Sequence, residues 1–398
     1  MSHKCEVAVI GGGPAGLTAA IALASAGVET ALVAKAPPVD SRTTALLSGS
    51  VAALDALGIW PLCAAQAAPL TAIRIIDGTS RVLRAPEVMF EAAEIGLQAF
   101  GHNIENRHLT AALDRRAAEL SELQRVAAAV TAIDPAGGRI TLRLDDGGSL
   151  QPQLVVGADG RKSLCRQAAG IETTRHEYPQ AALTLNLGHT RPHNGISTEF
   201  HTESGPFTLV PLPGMRSSLV CVLEPQAAEE LGALDALALS AEIERRAHSI
   251  LGKMSVEDGH GLFPLAVETA QSFGAKRIVL VGEAAHVIPP IGAQGLNLGL
   301  RDAATIAELV VEARRDGGDV GSPELLARYD RLRRTDVTNR SMAVDVLNRS
   351  LLSDFLPVQG ARGFGLYLLD RIAPLRRAVM REGVEPAAQP RLMRGEVL

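Results

Sequence analysis

Aromatic side chains are scarce: one Trp, three Tyr and eight Phe make up 3% of 398 residues, too few for the stacking platforms that hold single-stranded nucleic acid. Positive charge is in deficit as well. Thirty-nine Lys and Arg against 44 Asp and Glu give a net charge of −5, so no global field draws the chain to a phosphate backbone, and nucleic acid is excluded as a partner. The four cysteines, Cys5, Cys63, Cys165 and Cys221, include no C-x-x-C pair, which argues against a zinc knuckle or disulfide framework and fits a reducing cytoplasm. H-E-x-x-H is absent and no His stands at ligand spacing, so no metal site is expected. Gly-x-Ser-x-Gly is missing too, and with it the signal for a nucleophile elbow. The most membrane-like stretch, Ala15 to Val28, is shorter than the roughly 20 residues a spanning helix needs. Its Ala24-Ser25-Ala26 imitates a signal-peptidase site, but a strand and a glycine turn precede it, so it is read as part of a fold. With 46% hydrophobic and 21% charged residues, the chain is that of a globular protein of two or three domains.

What is present begins as strand, glycine turn, helix, strand. Val7 to Ile10 is the continuous apolar run of a strand covered on both faces. Gly11-Gly12-Gly13-Pro14-Ala15-Gly16 follows, then helix-compatible Leu17 to Ala26 with Gly27 as C-cap, then a second strand from Thr30 to Ala34. Helices are expected over Ser48 to Gly58 and over Leu109 to Leu123. Period-two alternation from Thr131 to Val156, turned at Asp146-Gly147, predicts a hairpin and then a buried strand, Leu154 to Val156. Ala181 to Leu223 reads as further strands parted at Pro213-Gly214, an antiparallel sheet forming a second domain. Ile278 to Val281 returns to the buried-strand pattern, so the first domain is discontinuous. From Pro323 the chain is helical, with Val344, Leu347, Leu351 and Phe355 on one face.

Three loops carry the chemistry. Gly11-x-Gly13-x-x-Gly16 follows a strand and opens a helix, the context in which glycine permits a tight turn, close approach of a pyrophosphate and tight helix packing, in that order. The helix N-terminus then faces the anion. The acidic residue that ordinarily bonds the ribose after the second strand is replaced by Ala34, followed by Lys35. The ribose is therefore held elsewhere, or Lys35 serves the extra phosphate of NADP. Gly157-Ala158-Asp159-Gly160-Arg161 follows the buried strand, and Gly282-Glu283-Ala284-Ala285-His286 follows the later one. After it comes Pro289-Pro290-Ile291-Gly292-Ala293-Gln294-Gly295-Leu296-Asn297-Leu298-Gly299-Leu300-Arg301-Asp302-Ala303.

On these three motifs the sequence resembles the flavin-dependent aromatic hydroxylases typified by para-hydroxybenzoate hydroxylase. Asp40-Ser41-Arg42-Thr43-Thr44-Ala45-Leu46, Leu54 to Trp60, Asn106-Arg107-x-Leu109 and Gly292 to Ala303 are similar to its ubiquinone-biosynthesis branch. The resemblance implies an α/β fold: a discontinuous Rossmann-like FAD-binding domain (1–75, 101–178 and 266–335), an inserted antiparallel β-sheet substrate domain (76–100 and 179–265) and a helical C-terminal extension (336–398). It implies FAD held by Gly11, Gly13, Pro14, Ala15, Gly16, Ala34, Lys35, Arg42, Arg107, Asp159, Gly160, Gly282, Glu283, Gly292, Gly295, Leu296 and Asn297. Within that set, Arg42 lies along the dinucleotide, Asp159 closes the pyrophosphate region, and the segment Gly292 to Asn297 turns backbone amides toward the pyrimidine end of the flavin. Pro290 and Gln294 are the candidate catalytic positions; the Pro289-Pro290 segment is stiff and offers no N–H. Glu283 departs from the family aspartate that reaches the ribityl chain, and a longer side chain there predicts weaker or displaced flavin binding. His286 belongs to the family motif as a packing and hydrogen-bonding residue.

The implied activity is hydroxylation of a polyprenylated phenol on the route to ubiquinone, through a flavin C4a-hydroperoxide formed with dioxygen. The protein's share is positioning, exclusion of water and tuning of flavin charge. No second G-x-G-x-x-G is present, so NAD(P)H would bind transiently, or reduced ferredoxin would serve as donor. A polyprenyl tail calls for a membrane surface or another quinone-pathway protein. The C-terminal segment, with Phe355, Leu356, Phe364, Leu366, Tyr367, Leu368 and Leu369 among arginines, either meets anionic lipid or caps the first domain. The expected location is the cytoplasm, at the inner face of the membrane if the lipid reading holds. A homo-oligomer is left open. Open alternatives are a hydroxylase of a soluble aromatic acid, a catalytically weak scaffold member and an NADP-dependent dehydrogenase using Lys35.

Overall fold

Val7–Ile10 is buried at all four positions, as a parallel strand covered on both faces must be. In the computed structural model, which describes every residue except 1, 36–39, 41, 80–84, 291, 353–364, 366, 370, 385 and 387, this strand is the hinge of a six-stranded sheet. It pairs in parallel with Thr30–Val33 on one side and Leu154–Gly157 on the other. Leu123–Val126 extends the first side and Ile278–Leu280 the second, both in parallel. Gly274–Ala275 adds a short antiparallel edge. Strands from distant parts of the chain thus deliver their C-terminal loops to one end of one sheet.

The helix Pro14–Ser25 is buried along most of its length because it lies between this sheet and the helix Gln294–Arg315. Small residues set the spacing: a Cβ on Gly299 would stand 3.2 Å from the Ala15 methyl and 3.3 Å from the Gly282 Cα. Leu17, Ile21 and Leu23 are at most 3% exposed, each contributing about 1.5–3 kcal/mol from burial.

A nine-stranded sheet forms the second unit. Its longest strand, Thr173–His189, pairs antiparallel with Arg216–Leu223 and Gly261–Ala270, the latter with a register shift between Glu177 and Ala181. One face, carrying Leu183, Leu185, Leu187, Leu209 and Leu219, packs with Leu231, Leu239 and Ile243 of the helices Pro225–Gly232 and Ala236–Arg246. The opposite face carries Ala182, Val220, Val222 and Leu265. Links to the first unit come from this face: Phe263 lies under the Arg42 guanidinium at 5.5 Å, and Ser218 bonds Asn103 at 3.1 Å. Tyr178 bonds Asp345 on the helix Pro323–Leu352 at 2.6 Å.

Three expectations need correction. The helix expected over Leu109 to Leu123 is Asn106–Ala118, and Leu123–Val126 is a strand claimed by pairing with Thr30–Val33. The second sheet is not wholly antiparallel, because Ala72–Asp77 runs parallel to Ile196–Thr202. Its longest strand also begins before Ala181, at Thr173. The hairpin at Asp146-Gly147 is present, with Leu142 opposite Leu150 and Gly147 at φ 83°. The side chains of Val344, Leu347, Leu351, Phe355, Leu356, Phe364 and Leu366 fall outside what the structure describes.

Candidate active site

The crevice opens where the loops leave the C-terminal ends of Val7–Ile10, Leu154–Gly157 and Ile278–Leu280, the customary ligand position of an open parallel sheet. In the first loop each glycine has a separate reason. Gly11 has φ 121°, and a Cβ there would lie 2.1 Å from the Ala158 carbonyl oxygen. Gly16 is equally confined, its Cβ position being 2.1 Å from the Gly11 oxygen. At Gly13, the N-cap of the helix, a Cβ would meet nothing within 4 Å. The two confined glycines let the loop fold; the open one leaves room for a ligand at a helix N-terminus with Pro14 in its first turn. Ala15 packs on Gly282 and Gly299, so it shapes the loop from beneath.

Ala34 ends the second strand with its N–H on the Val126 carbonyl (3.1 Å). Lys35 pairs with Asp145 at 2.5 Å. That engagement satisfies its charge within the protein.

The second loop is shaped by Asp159, which accepts from Ser163 Oγ at 2.6 Å and from the Cys165 N–H at 3.1 Å. Gly160 takes φ 79°, with open space where a Cβ would be. The third loop begins at Gly282, φ 62°, whose N–H donates to Asp302 Oδ2 at 2.9 Å. Asp302 also receives His286 Nε2 at 2.7 Å, both side chains being fully buried. Glu283 is exposed and accepts from Arg161 at 3.1 Å. Arg42 is clamped by Asp40 through two bonds of 2.9 and 2.7 Å, and the charge of Glu283 also acts on it. Burial opposes ionisation of Asp40, but Arg42 and Asn106 outweigh it and hold its carboxyl below the usual range.

Arg107 turns to a different partner. It donates to Glu105 at 2.8 Å, and Arg216 meets the other oxygen of that buried carboxylate at 2.7 Å. The pair of cations overcomes burial and keeps Glu105 below its ordinary pKa.

Gly292 and Gly295 are exposed at the start of the helix Gln294–Arg315. Ala293, the N-cap, sits in the left-handed region at φ 55° and no side chain caps the first turn, a strained arrangement of the kind found at ligand sites. The uncapped amides around Leu296 are available to an anionic group. Pro289 is buried and Pro290 exposed. Gln294 donates to the Gly292 carbonyl at 2.9 Å and accepts from Arg340 at 3.1 Å. Asn297, expected on the cofactor, uses its side chain inside the protein: Oδ1 accepts from Leu47 N–H (2.9 Å) and Ser50 Oγ (2.6 Å), while Nδ2 donates to the Ala45 and Ala293 carbonyls (2.8 and 2.6 Å). Its backbone remains on the crevice-facing turn.

The residues present fit an FAD. Glycines with open Cβ positions stand at 13, 160 and 295, two helix N-termini lack side-chain caps, and the Arg42 guanidinium lies over Phe263 of the nine-stranded sheet. Among the described residues no cluster of His, Cys, Asp and Glu is arranged to hold a metal ion. The motifs do not reveal Asp302 as the buried anchor of the third loop, nor its partner Arg333, nor Asp336 and Arg340, which continue the path from Arg333. Tyr329, Arg333 and Val337 recur at a spacing of four and are all buried; an arginine in such an apolar stripe is the signal that was there to find.

A model of the FAD binding domain matches residues 4–343. The chain is 36% identical to the ubiquinone hydroxylase UbiL of Rhodospirillum rubrum, over 98% of this chain and 92% of that one. It is 29% identical to the 3-demethoxyubiquinol 3-hydroxylase of Escherichia coli, over 96% and 98%. Among solved structures it superposes on p-nitrophenol 4-monooxygenase PnpA of Pseudomonas putida with a TM-score of 0.79 at 20% identity, over 97% of this chain and 100% of that one. With a family model spanning most of the chain and a relative of this identity along nearly its whole length, the chain belongs to the family of FAD-dependent monooxygenases that includes the ubiquinone hydroxylases.

Proposed function

We propose that the protein hydroxylates the aromatic ring of a polyprenylated phenol in ubiquinone biosynthesis, with dioxygen as co-substrate and NAD(P)H or reduced ferredoxin as transient donor. The observation that carries this reading is the convergence of the three glycine loops on one crevice, in a chain similar to a ubiquinone hydroxylase along nearly its whole length. FAD, when bound, would supply the oxygen activation. The chain's part is to hold the dinucleotide on the loops at Gly13, Gly160 and Gly295 and to place the ring beside Pro290 and Gln294. The wall formed by Val220, Val222, Phe263 and Leu265 excludes water. The same face sets the apolar cluster of Ala182, Val222 and Leu265 beside the polar Thr184, Asn186 and Ser218.

The test is the absorption spectrum of the purified protein with and without added FAD, followed by turnover with a short-chain prenylated phenol and analysis of the product by mass. Flavin absorbance with a product heavier by one oxygen supports the reading. A protein that stays colourless with FAD, or one that oxidises its donor without hydroxylating any prenylated phenol, overturns it.

We also place a peripheral membrane contact on the helix Ala373–Val384. Met380 of this helix packs with Val88 and Phe90, while Ile372 just before it and Leu375 and Val379 within it are 41–49% exposed at helical spacing. Arg371, Arg377 and Arg381 flank them, the pattern of an interfacial helix. No helix among the described residues is long and apolar enough to cross a membrane. Flotation with anionic liposomes should be lost in Leu375→Glu/Val379→Glu; unchanged flotation removes the idea.

A further inference from the structure

Behind the third loop runs a buried path of charges. Asp302, besides receiving Gly282 N–H and His286, accepts on its other oxygen from Arg333 Nε at 2.6 Å. Arg333 Nη1 donates to Asp336 at 2.7 Å, and Asp336 also receives Arg301 Nε at 2.8 Å and Arg340 Nε at 3.0 Å. Arg340 then donates to Gln294 Oε1 at 3.1 Å, and Gln294 to the Gly292 carbonyl at 2.9 Å. An unbroken run of hydrogen bonds therefore joins the loop at Gly282 to the turn at Gly292.

The charges in this path do not cancel. Three guanidiniums face two carboxylates, an excess of one positive charge with His286 left out of the count. The Arg301, Arg333 and Arg340 side chains are 7%, 3% and 13% exposed, and Arg333 Nη2 has no acceptor among the described residues. A buried cation without a counter-charge is costly, and an effect of this kind acts strongly over short distances where solvent is excluded. The positive end of the helix Gln294–Arg315 adds to it on the same side.

Resting on the reading that the chain binds FAD, we propose that this cluster is the electrostatic complement of the reduced, anionic cofactor. Arg340 is its positioning residue, fixing Gln294 and the Gly292 turn. A hydride, or two electrons and a proton, leaves the flavin with one added negative charge, and that charge balances the cluster's excess.

The experiment measures the midpoint potential of FAD and its affinity in the reconstituted wild type and in Arg340→Gln, Arg340→Lys and Asp336→Asn. Arg340→Gln should weaken binding of reduced relative to oxidised FAD by about tenfold, a lowering of about 30 mV for a two-electron couple. Arg340→Lys, which keeps the charge, should stay near wild type. Asp336→Asn, which removes a negative charge, should move the potential upward. General damage to the loop gives no reason for shifts of opposite sign, so potentials that are unmoved, or that move together, overturn the proposal. If Asp336→Asn fails to hold FAD, the two Arg340 variants decide alone: equal potentials for Gln and Lys overturn it. Wild-type protein that takes up no FAD overturns this inference and the functional reading together, whereas FAD uptake with an unmoved potential overturns only this one.

Discussion

Arg161 and Glu283 meet at 3.1 Å, bridging the loops that leave two neighbouring strands of the central sheet. Glu283 stands where the family motif has aspartate, and the added methylene carries its carboxylate out to Arg161. Shortening the side chain draws the carboxylate back toward the dinucleotide. Glu283→Asp should tighten FAD affinity by about tenfold, the effect of roughly one hydrogen bond to a charged group. Quenching of flavin fluorescence on titration measures it; an affinity that is unchanged or weaker removes the argument.

Gly11 and Gly13 should fail in different ways when replaced by alanine. Gly11→Ala drives a methyl to 2.1 Å from the Ala158 oxygen at a φ that alanine resists, and should lower the melting temperature of the protein before any cofactor is added. Gly13→Ala meets no protein atom within 4 Å. It should melt like wild type and bind FAD at least tenfold more weakly, because its methyl occupies the space left for the pyrophosphate. Melting curves with and without FAD separate the two, and identical behaviour of both variants would refute the assignment.

Asn297→Ala removes four hydrogen bonds, three that tie the helix Gln294–Arg315 to Ala45, Leu47 and Ser50 and one to the Ala293 carbonyl at the helix's own N-cap. Some of the groups left behind are buried without partners, so a loss of about 2–4 kcal/mol is expected in denaturant unfolding. A loss below about 1 kcal/mol would mean that water replaces the amide.

Burial works against ionisation of Asp302 and Asp336, and the groups beside them outweigh it: the His286 hydrogen bond and Arg333 for Asp302, and Arg333, Arg301 and Arg340 for Asp336. Both carboxyls are thereby held below their unfolded value of about 3.9. A depressed carboxyl contributes stability that is present above its unfolded pKa and lost as pH falls toward the folded one. The melting temperature should therefore be insensitive to these groups from about pH 7 to 5 and fall below about pH 4. Asp336→Asn should start lower at neutral pH and show a shallower acid limb; a limb as steep as wild type's would show that other groups set it.

Burial pushes Cys5, Cys63 and Cys221 up to about 11, and Cys165 is raised as well by burial and by Asp159. The native protein should leave a thiol reagent at pH 8 almost unreacted, with four thiols appearing on denaturation. Rapid labelling of any one in the native state would contradict its burial.

Much of the crevice was legible in the sequence because glycine punctuation and continuous apolar runs are local signals: the turn at Gly11 to Gly16 and the strands around it could be read directly. What failed was decided at a distance. Glu119 to Glu122 is compatible with helix, and only the neighbouring strand Thr30–Val33 makes Leu123–Val126 a strand. The strand pattern is visible only from Ala181, yet Thr173 to Glu177 pairs with Ala266 to Ala270. Arg333, Asp336 and Arg340 have the spacing of an ordinary charged helix face, and their burial follows from what packs over them. The motif speaks only for the backbone amide of Asn297; that its side chain serves the strand Thr43–Leu47 and the helix behind it depends on segments some 250 residues earlier in the chain.

The order of strands in the central sheet bears on how the chain assembles on the ribosome. Leu154–Gly157 has Val7–Ile10 on one side and Ile278–Leu280 on the other, so the third lip of the crevice is synthesised long after the first. Until that late strand emerges, an apolar edge of the nascent sheet stays uncovered, and such pairing between remote segments is slow to form. A stop codon anywhere before residue 278 should therefore yield aggregates and not a smaller working protein.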